Sequence, residues 1–479
     1  MTMHYPVMIP GATGDGSRLD VSAPFDGKLI ATVDTVGSEA VERALVTAYG
    51  LYRDRSTWLP KERRIAILEK SAALMSERLE LLAVEAAREG GKPLADSRVE
   101  VIRAIGGVRG CVEVMRSEGG KEIPMGLDAA SSGHLAFTSS EPIGVVVAVS
   151  AFNHPLNLII HQVAPAVASG CPVIVKPAED TPLSCFRFVE ILREAGLPEE
   201  WCQPLVVNDL AVASQLVTDS RVGFFSFIGS SAVGWMLRSK LTPGARCALE
   251  HGGAAPVIVA KDADLDDALP LLAKGGFYHA GQVCVSVQRV FAHESVAQRL
   301  AEGLAVLAAE MKVGDPTRED TEVGPLIRPR EVERVAQWVD QAVAAGARLM
   351  TGGERLSDSC YSPTVLFDPP PDSLVSRQEV FGPVVAIYPY GDIDEAIERA
   401  NELPFSFQAA VFSKDIDTAM HCYRQLDASA VMVNQHTAFR VDWMPFAGLR
   451  QSGLGVGGIP HTYHDMQIEK MMVLRSKAL

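Results

Sequence analysis

GVVVAVSAFNHPLNLIIHQVAPAVASGCPVIVKP, Gly144 to Pro177, decides the fold. Its first part, GVVVAVS (144–150), is a β-branched apolar run with no alternation, which reads as a strand buried on both faces. Leu156–Ser169 carries apolar residues at helical spacing, and PVIVKP (172–177) is a second buried strand. Strand, helix and strand of this length form one crossover unit of a parallel sheet. The rhythm continues outward. Pro182–Ala195 reads as a helix, PLVV (204–207) as a strand, Ala211–Thr218 as a helix, VGFFSFIG (222–229) as a strand and Ser231–Ser239 as a helix. The expectation is an α/β chain with a doubly wound, Rossmann-like sheet.

A second α/β region begins near Gly252. APVIVA is a strand, Leu265–Lys274 a helix, VQRVFAH a strand and Val296–Lys312 a helix, with alternation to AVMVN (430–434). Upstream, Glu39–Tyr49, Pro60–Arg78 and Leu79–Glu89 read as helices, and another starts after Pro93. Residues 121–140 read as a hairpin. The tail, MQIEKMMVLRS, alternates like an edge strand that a second subunit could cover. Gly11, Gly14 and Gly16 have no strand before them and no helix after, so they mark a turn and not a nucleotide loop.

The chain has 479 residues, 47% hydrophobic and 22% charged, enough for two or three domains with large cores. A net charge of -15 without a basic tract argues against a nucleic-acid surface. No apolar run approaches the roughly 18 residues that span a bilayer. The first residues lack the basic and apolar regions of a secretory signal. The eight cysteines show no regular spacing, which argues against a disulfide framework or a metal site and points to the cytoplasm.

One cysteine stands apart. GGFYHAGQVCVSVQRV, Gly275 to Val290, places Cys284 behind Gly281, Gln282 and Val283, and LEHGG presents Glu250 beside Gly252 and Gly253. A thiol does covalent chemistry as its thiolate, and a carboxylate with a raised pKa serves as a base near neutral pH. These segments resemble the cysteine and glutamate motifs of the aldehyde dehydrogenase superfamily. FNHP (152–155), KPAE (176–179), FIGSSAVG (227–234), EVFGP (379–383) and PFAGLRQSGLG (445–455) match further motifs in the family's order. The late segment NQHTAFRVDWMPF (434–446) is similar to the lactaldehyde and glyceraldehyde-3-phosphate-type branches.

The resemblance implies oxidation of an aldehyde to a carboxylic acid with NAD, or with NADP. Cys284 would be the nucleophile, Asn153 an oxyanion donor and Glu250 the base that hydrolyses the thioester. Lys176, Glu179, Gly229, Ser230, Gly234, Glu379 and Phe381 would hold the cofactor. A carboxylate at Glu179 favours NAD, although Lys176 offsets part of its repulsion of a 2′-phosphate. His154, Val283, His436 and Arg440 are candidates for substrate recognition, with Arg103 on a helix beside Glu100 as another. For Arg440 a surface pair with Asp442 is an equally good reading, and for Gly229 and Gly234 simple packing. The implied organisation is a cofactor domain (1–120 and 142–250), a catalytic domain (251–434) and a small β oligomerisation element (121–141 and 456–479) of a homodimer or homotetramer. Transfer of the acyl group to coenzyme A and a non-catalytic binding protein of the same fold are the alternatives.

Overall fold

The protein is described by a computed structural model covering residues 3–479. Its first sheet has six strands in the order Gly453–Leu454, Arg246–Glu250, Val222–Ile228, Val145–Val149, Val173–Lys176 and Cys202–Pro204. All neighbours are parallel except Gly453–Leu454, which runs antiparallel to Arg246–Glu250. The apolar run has a direct cause. Val146 and Ala148 face the core formed with helices Leu94–Ser117 and Asn157–Ser169, while Val145 and Val147 face the one with Ser38–Arg53 and Leu210–Thr218. Both faces are covered, so no position in the strand tolerates a polar residue.

Chain order in this sheet reverses between Val145–Val149 and Val222–Ile228. In open α/β sheets, the crevice beyond the carboxyl ends of such a pair receives the ligand. Residues 150–154 and 229–230 emerge there.

The second sheet has seven strands, in the order Arg348–Thr351, Thr364–Phe367, Val384–Tyr390, Arg289–His293, Pro256–Val259, Gln408–Phe412 and Ala430–Val433. Only its first pair is antiparallel. A small sheet pairs Gln467–Arg475 with His134–Pro142 along nine residues, and Glu122–Ile123 with the latter. Phe137, Met471, Met472, Val473 and Leu474 are exposed on it. Among the described residues no helix is long and apolar enough to cross a membrane.

Two expectations shift. The strand placed at 204–207 lies at Cys202–Pro204. After Leu205 donates to the Val175 carbonyl, the chain turns to the N-terminal region, where the Val206 carbonyl accepts from Val36 N–H. The segment 456–479, read as one element, divides in two. Ile459–Asp465 is a helix with Ile459 and Tyr463 in the core beside Leu94–Ser117 and Asn157–Ser169, and only the strand after it joins the small sheet.

Candidate active site

The cysteine loop is built at the end of helix Leu265–Phe277. His279, Ala280 and Gly281 follow with φ of 49°, 54° and 70°, all left-handed. A Cβ on Gly281 would stand 2.1 Å from the Gly382 carbonyl oxygen, so glycine there joins the cysteine loop to the EVFGP turn. Gln282 is buried and clamps the loop from its side chain. Its amide N–H groups donate to the carbonyls of His279 and Pro325, and its Oε1 accepts from Ile327 N–H at 2.9 Å. The sequence marks Gln282 only as a neighbour of the cysteine; its partner segment 325–327 becomes visible only in three dimensions.

Cys284, Glu250 and Asn153 line one cleft of about 560 Å³, together with Lys176, Glu179, Ser230, Glu379 and Phe381. Asn153 Nδ2 donates to the Gln282 carbonyl at 2.9 Å. That bond fixes the amide beside the cysteine loop and leaves its second N–H unspent. Burial pushes the Cys284 thiol up to about 12; Arg440 opposes the shift, while Glu250 and Glu379 add to it. Burial also raises Glu250 above the usual carboxylate range, again with Arg440 opposing. A half-buried thiol, a base with raised pKa and an amide donor can together support covalent addition to a carbonyl.

On the cofactor side, Lys176 Nζ contacts Glu179 Oε1. Burial pushes Glu179 up, but Lys176 outweighs it and the carboxyl lies below its ordinary range. Burial lifts Glu379 to about 8, and its one hydrogen bond within the described residues is a 3.3 Å contact from Gly253 N–H. A carboxyl so poorly supplied with donors fits the hydroxyls of a ribose. Phe381, left-handed at φ 45°, stacks edge-on against Phe152 at 5.8 Å. Gly229 lines the cleft but Gly234 does not. A Cβ on Gly234 would stand 2.0 Å from the His251 ring, and one on Gly229 2.9 Å from the Phe227 ring. Neither position has room for a side chain, and Gly229 also borders the cleft. The His251 ring fills the space that Gly234 leaves.

The surface pair read for Arg440 and Asp442 is not formed. Asp442 is buried and accepts from Arg103 at 2.8 Å, from His161 at 2.7 Å and from Asn157 at 3.2 Å. Arg440 lies over the Phe446 ring at 3.5 Å and its Nη2 stands 3.4 Å from His161 Nδ1, while its buried Nε has no hydrogen-bond partner among the described residues. Arg103, Arg440, His154 and Val283 all line the cleft. His436 is not among the lining residues; it packs against Gly275. No group of three or more His, Cys, Asp or Glu among the described residues is placed to hold a metal ion.

Comparison with known proteins agrees with this geometry. Residues 12–472 match the profile of the family described as "Aldehyde dehydrogenase family". A 3-sulfolactaldehyde dehydrogenase of Priestia aryabhattai is 37% identical over 458 residues, 95% of each chain. The crystal structure of aldehyde dehydrogenase 21 from Physcomitrella patens, in complex with the reaction product succinate, superposes with a TM-score of 0.94 at 34% identity, over 99% of each chain. A glyceraldehyde-3-phosphate dehydrogenase from Methanocaldococcus jannaschii complexed with NADP superposes with a TM-score of 0.91 at 33% identity, over 96% of this chain and 99% of that one.

Proposed function

The chain belongs to the aldehyde dehydrogenase family and is an NAD(P)-dependent aldehyde dehydrogenase; from that premise we propose that Cys284, Asn153 and Glu250 carry the reaction and that its substrate is a short aldehyde bearing an anionic group. The Cys284 thiol gives up its proton to solvent, and its sulfur bonds the carbonyl carbon as the C=O π pair moves onto the oxygen. The free Asn153 N–H and the Cys284 backbone N–H hold the developing oxyanion, each such donor lowering the barrier by about 2.7–4 kcal/mol. When bound, NAD(P)⁺ supplies the hydride acceptor, held by Lys176, Glu179, Ser230, Glu379 and Phe381. Glu250 then takes a proton from water, which hydrolyses the thioester and releases the acid. A carboxylate raised by burial suits that step, because its pKa approaches the working pH.

The observation that carries this reading is the convergence of Cys284, Glu250 and Asn153 on one cleft. Glu250 in that cleft favours hydrolysis over acyl transfer to coenzyme A. Arg440 and Arg103 on the wall, the succinate of one relative and the sulfonated substrate of another support the anionic group. Glu179 supports NAD as the preferred cofactor. The exposed apolar strand Gln467–Arg475 supports a subunit contact in a homodimer or homotetramer. Eight free cysteines support a cytoplasmic setting.

NADH or NADPH formation at 340 nm across neutral, hydroxylated and anionic aldehydes, with and without coenzyme A, tests the proposal. The expected result is preference for an anionic aldehyde, no dependence on coenzyme A, and loss of activity in Cys284→Ala. Parental activity in Cys284→Ala sinks the mechanism; a neutral preference sinks the substrate class.

A further inference from the structure

Behind the cleft wall lies a buried pair that the mechanism above does not use. Lys92, wholly buried in the GGKP turn before helix Leu94–Ser117, contacts Glu100 Oε2 through Nζ. The other Glu100 oxygen accepts from Leu156 and Asn157 N–H, both at 2.9 Å, at the start of helix Asn157–Ser169. Lys92 Nζ also stands 2.6 Å from His154 Nδ1. Burial lowers the Lys92 pKa and the Glu100 partner opposes that shift; as an ammonium Lys92 has donors and no acceptor, so it donates to both neighbours. His154 Nδ1 is then the acceptor, and the single ring proton sits on Nε2. That Nε2 has no hydrogen-bond partner among the described residues and is not sealed from the cleft, which the ring lines.

Charged and titratable groups surround the ring: Lys92, Glu100, His279, Tyr278, Arg103 and Arg440. Burial first, and then Lys92, His279, Arg103 and Arg440, hold His154 well below the usual histidine range, so it stays neutral. Asn153 and His154 are consecutive, and both face the cleft. Both side chains therefore border the cleft that holds Cys284.

We propose that Lys92 is a positioning residue that locks His154 as an Nε2–H donor, and that this donor reads the 2-hydroxyl oxygen of a 2-hydroxyaldehyde. The inference rests on the aldehyde oxidation proposed above. A substrate that fills the cleft but lacks that oxygen leaves the donor unpaired, and this gives the discrimination.

The test compares kcat/KM for 2-hydroxypropanal and propanal. The parent enzyme should prefer the hydroxylated aldehyde by about tenfold or more, and His154→Phe should bring the ratio close to one. Lys92→Met frees the ring to take either tautomer and should lower the ratio several-fold. Lys92→Met with Glu100→Gln removes both charges together, which covers the case in which the single variant does not fold. In that double variant the ratio should also fall several-fold, and because burial, the largest cause, still keeps the ring neutral, neither its ratio nor the parent's should change with pH near neutrality. A purely structural role for Lys92 would slow both aldehydes alike and leave the ratio intact, and that result overturns the proposal. So does a parental ratio near one, or an unchanged ratio in His154→Phe. In each of these cases NADH formation continues and aldehyde oxidation stands; no NADH from the parent with any aldehyde would remove the oxidation reading itself.

Discussion

Replacing Gly457 by alanine probes the placement of Glu250 with a single methyl group. Gly457 does not have a left-handed backbone, so alanine adopts its conformation without strain. The new Cβ would stand 2.1 Å from Glu250 Oε1 and 3.0 Å from the Phe446 carbonyl oxygen. Ordinary contact needs about 3.5 Å, so the carboxyl must retreat by about 1.4 Å. Displacing a reacting group by about 1 Å can cost on the order of 100-fold in rate. The Phe446 carbonyl must also give by a few tenths of an ångström, a strain on the order of 1 kcal/mol. Fold stability should therefore change little while one chemical step fails. In stopped-flow absorbance at 340 nm, Gly457→Ala should keep the first-turnover burst of NADH and lose about 100-fold in the steady-state rate. Mass spectrometry should then find the acyl group on Cys284. Steady turnover at the parental rate would refute the placement of Glu250 as the hydrolytic base. An equal fall in burst and steady state would refute it too, because the methyl would then be acting before the thioester forms.

Other expectations follow from the same geometry. Burial holds Cys284 mainly as the thiol at neutral pH, so alkylation by iodoacetamide should quicken continuously as pH rises from 7 to 10, and Arg440→Met should slow it at every pH; a flat profile would contradict the half-buried thiol. Burial alone would raise Asp442, but His161 and Arg103 outweigh it and hold the carboxyl well below its ordinary range. A depressed folded pKa gives stability that is complete above the unfolded value, about 3.9, and is lost as pH falls below it. Asp442→Asn should cost about 3 kcal/mol at pH 7 and flatten the acid limb of denaturant-unfolding curves; an unchanged acid limb would contradict this. Glu179→Gln should raise kcat/KM with NADP⁺ relative to NAD⁺ at least several-fold, and an unchanged ratio would remove Glu179 from cofactor choice.

The parallel sheet was legible in the sequence because it depends on neighbours along the chain. A strand covered on both faces has to be apolar at every position, and Val145–Val149 is. Cys284, Glu250 and Asn153 could be singled out because each sits in a short local motif, at a strand end or loop that follows from the same rhythm. Partnerships between distant segments could not be read this way. Arg440 and Asp442, two residues apart, read as a pair, yet the fold gives Asp442 to Arg103 and His161, hundreds of residues away, and leaves Arg440 facing the cleft. Gly234 read either as a cofactor glycine or as packing, and the His251 ring that fills the space beside it is contributed by a different strand end. Lys92 carried no signal in its own turn, and its meaning comes from Glu100 and His154. The physical reason is the same in each case. Secondary structure follows from periodicity and backbone sterics over a few residues, whereas the partner of a buried charge is whichever group packing brings within hydrogen-bond reach, and a linear pattern does not encode that distance.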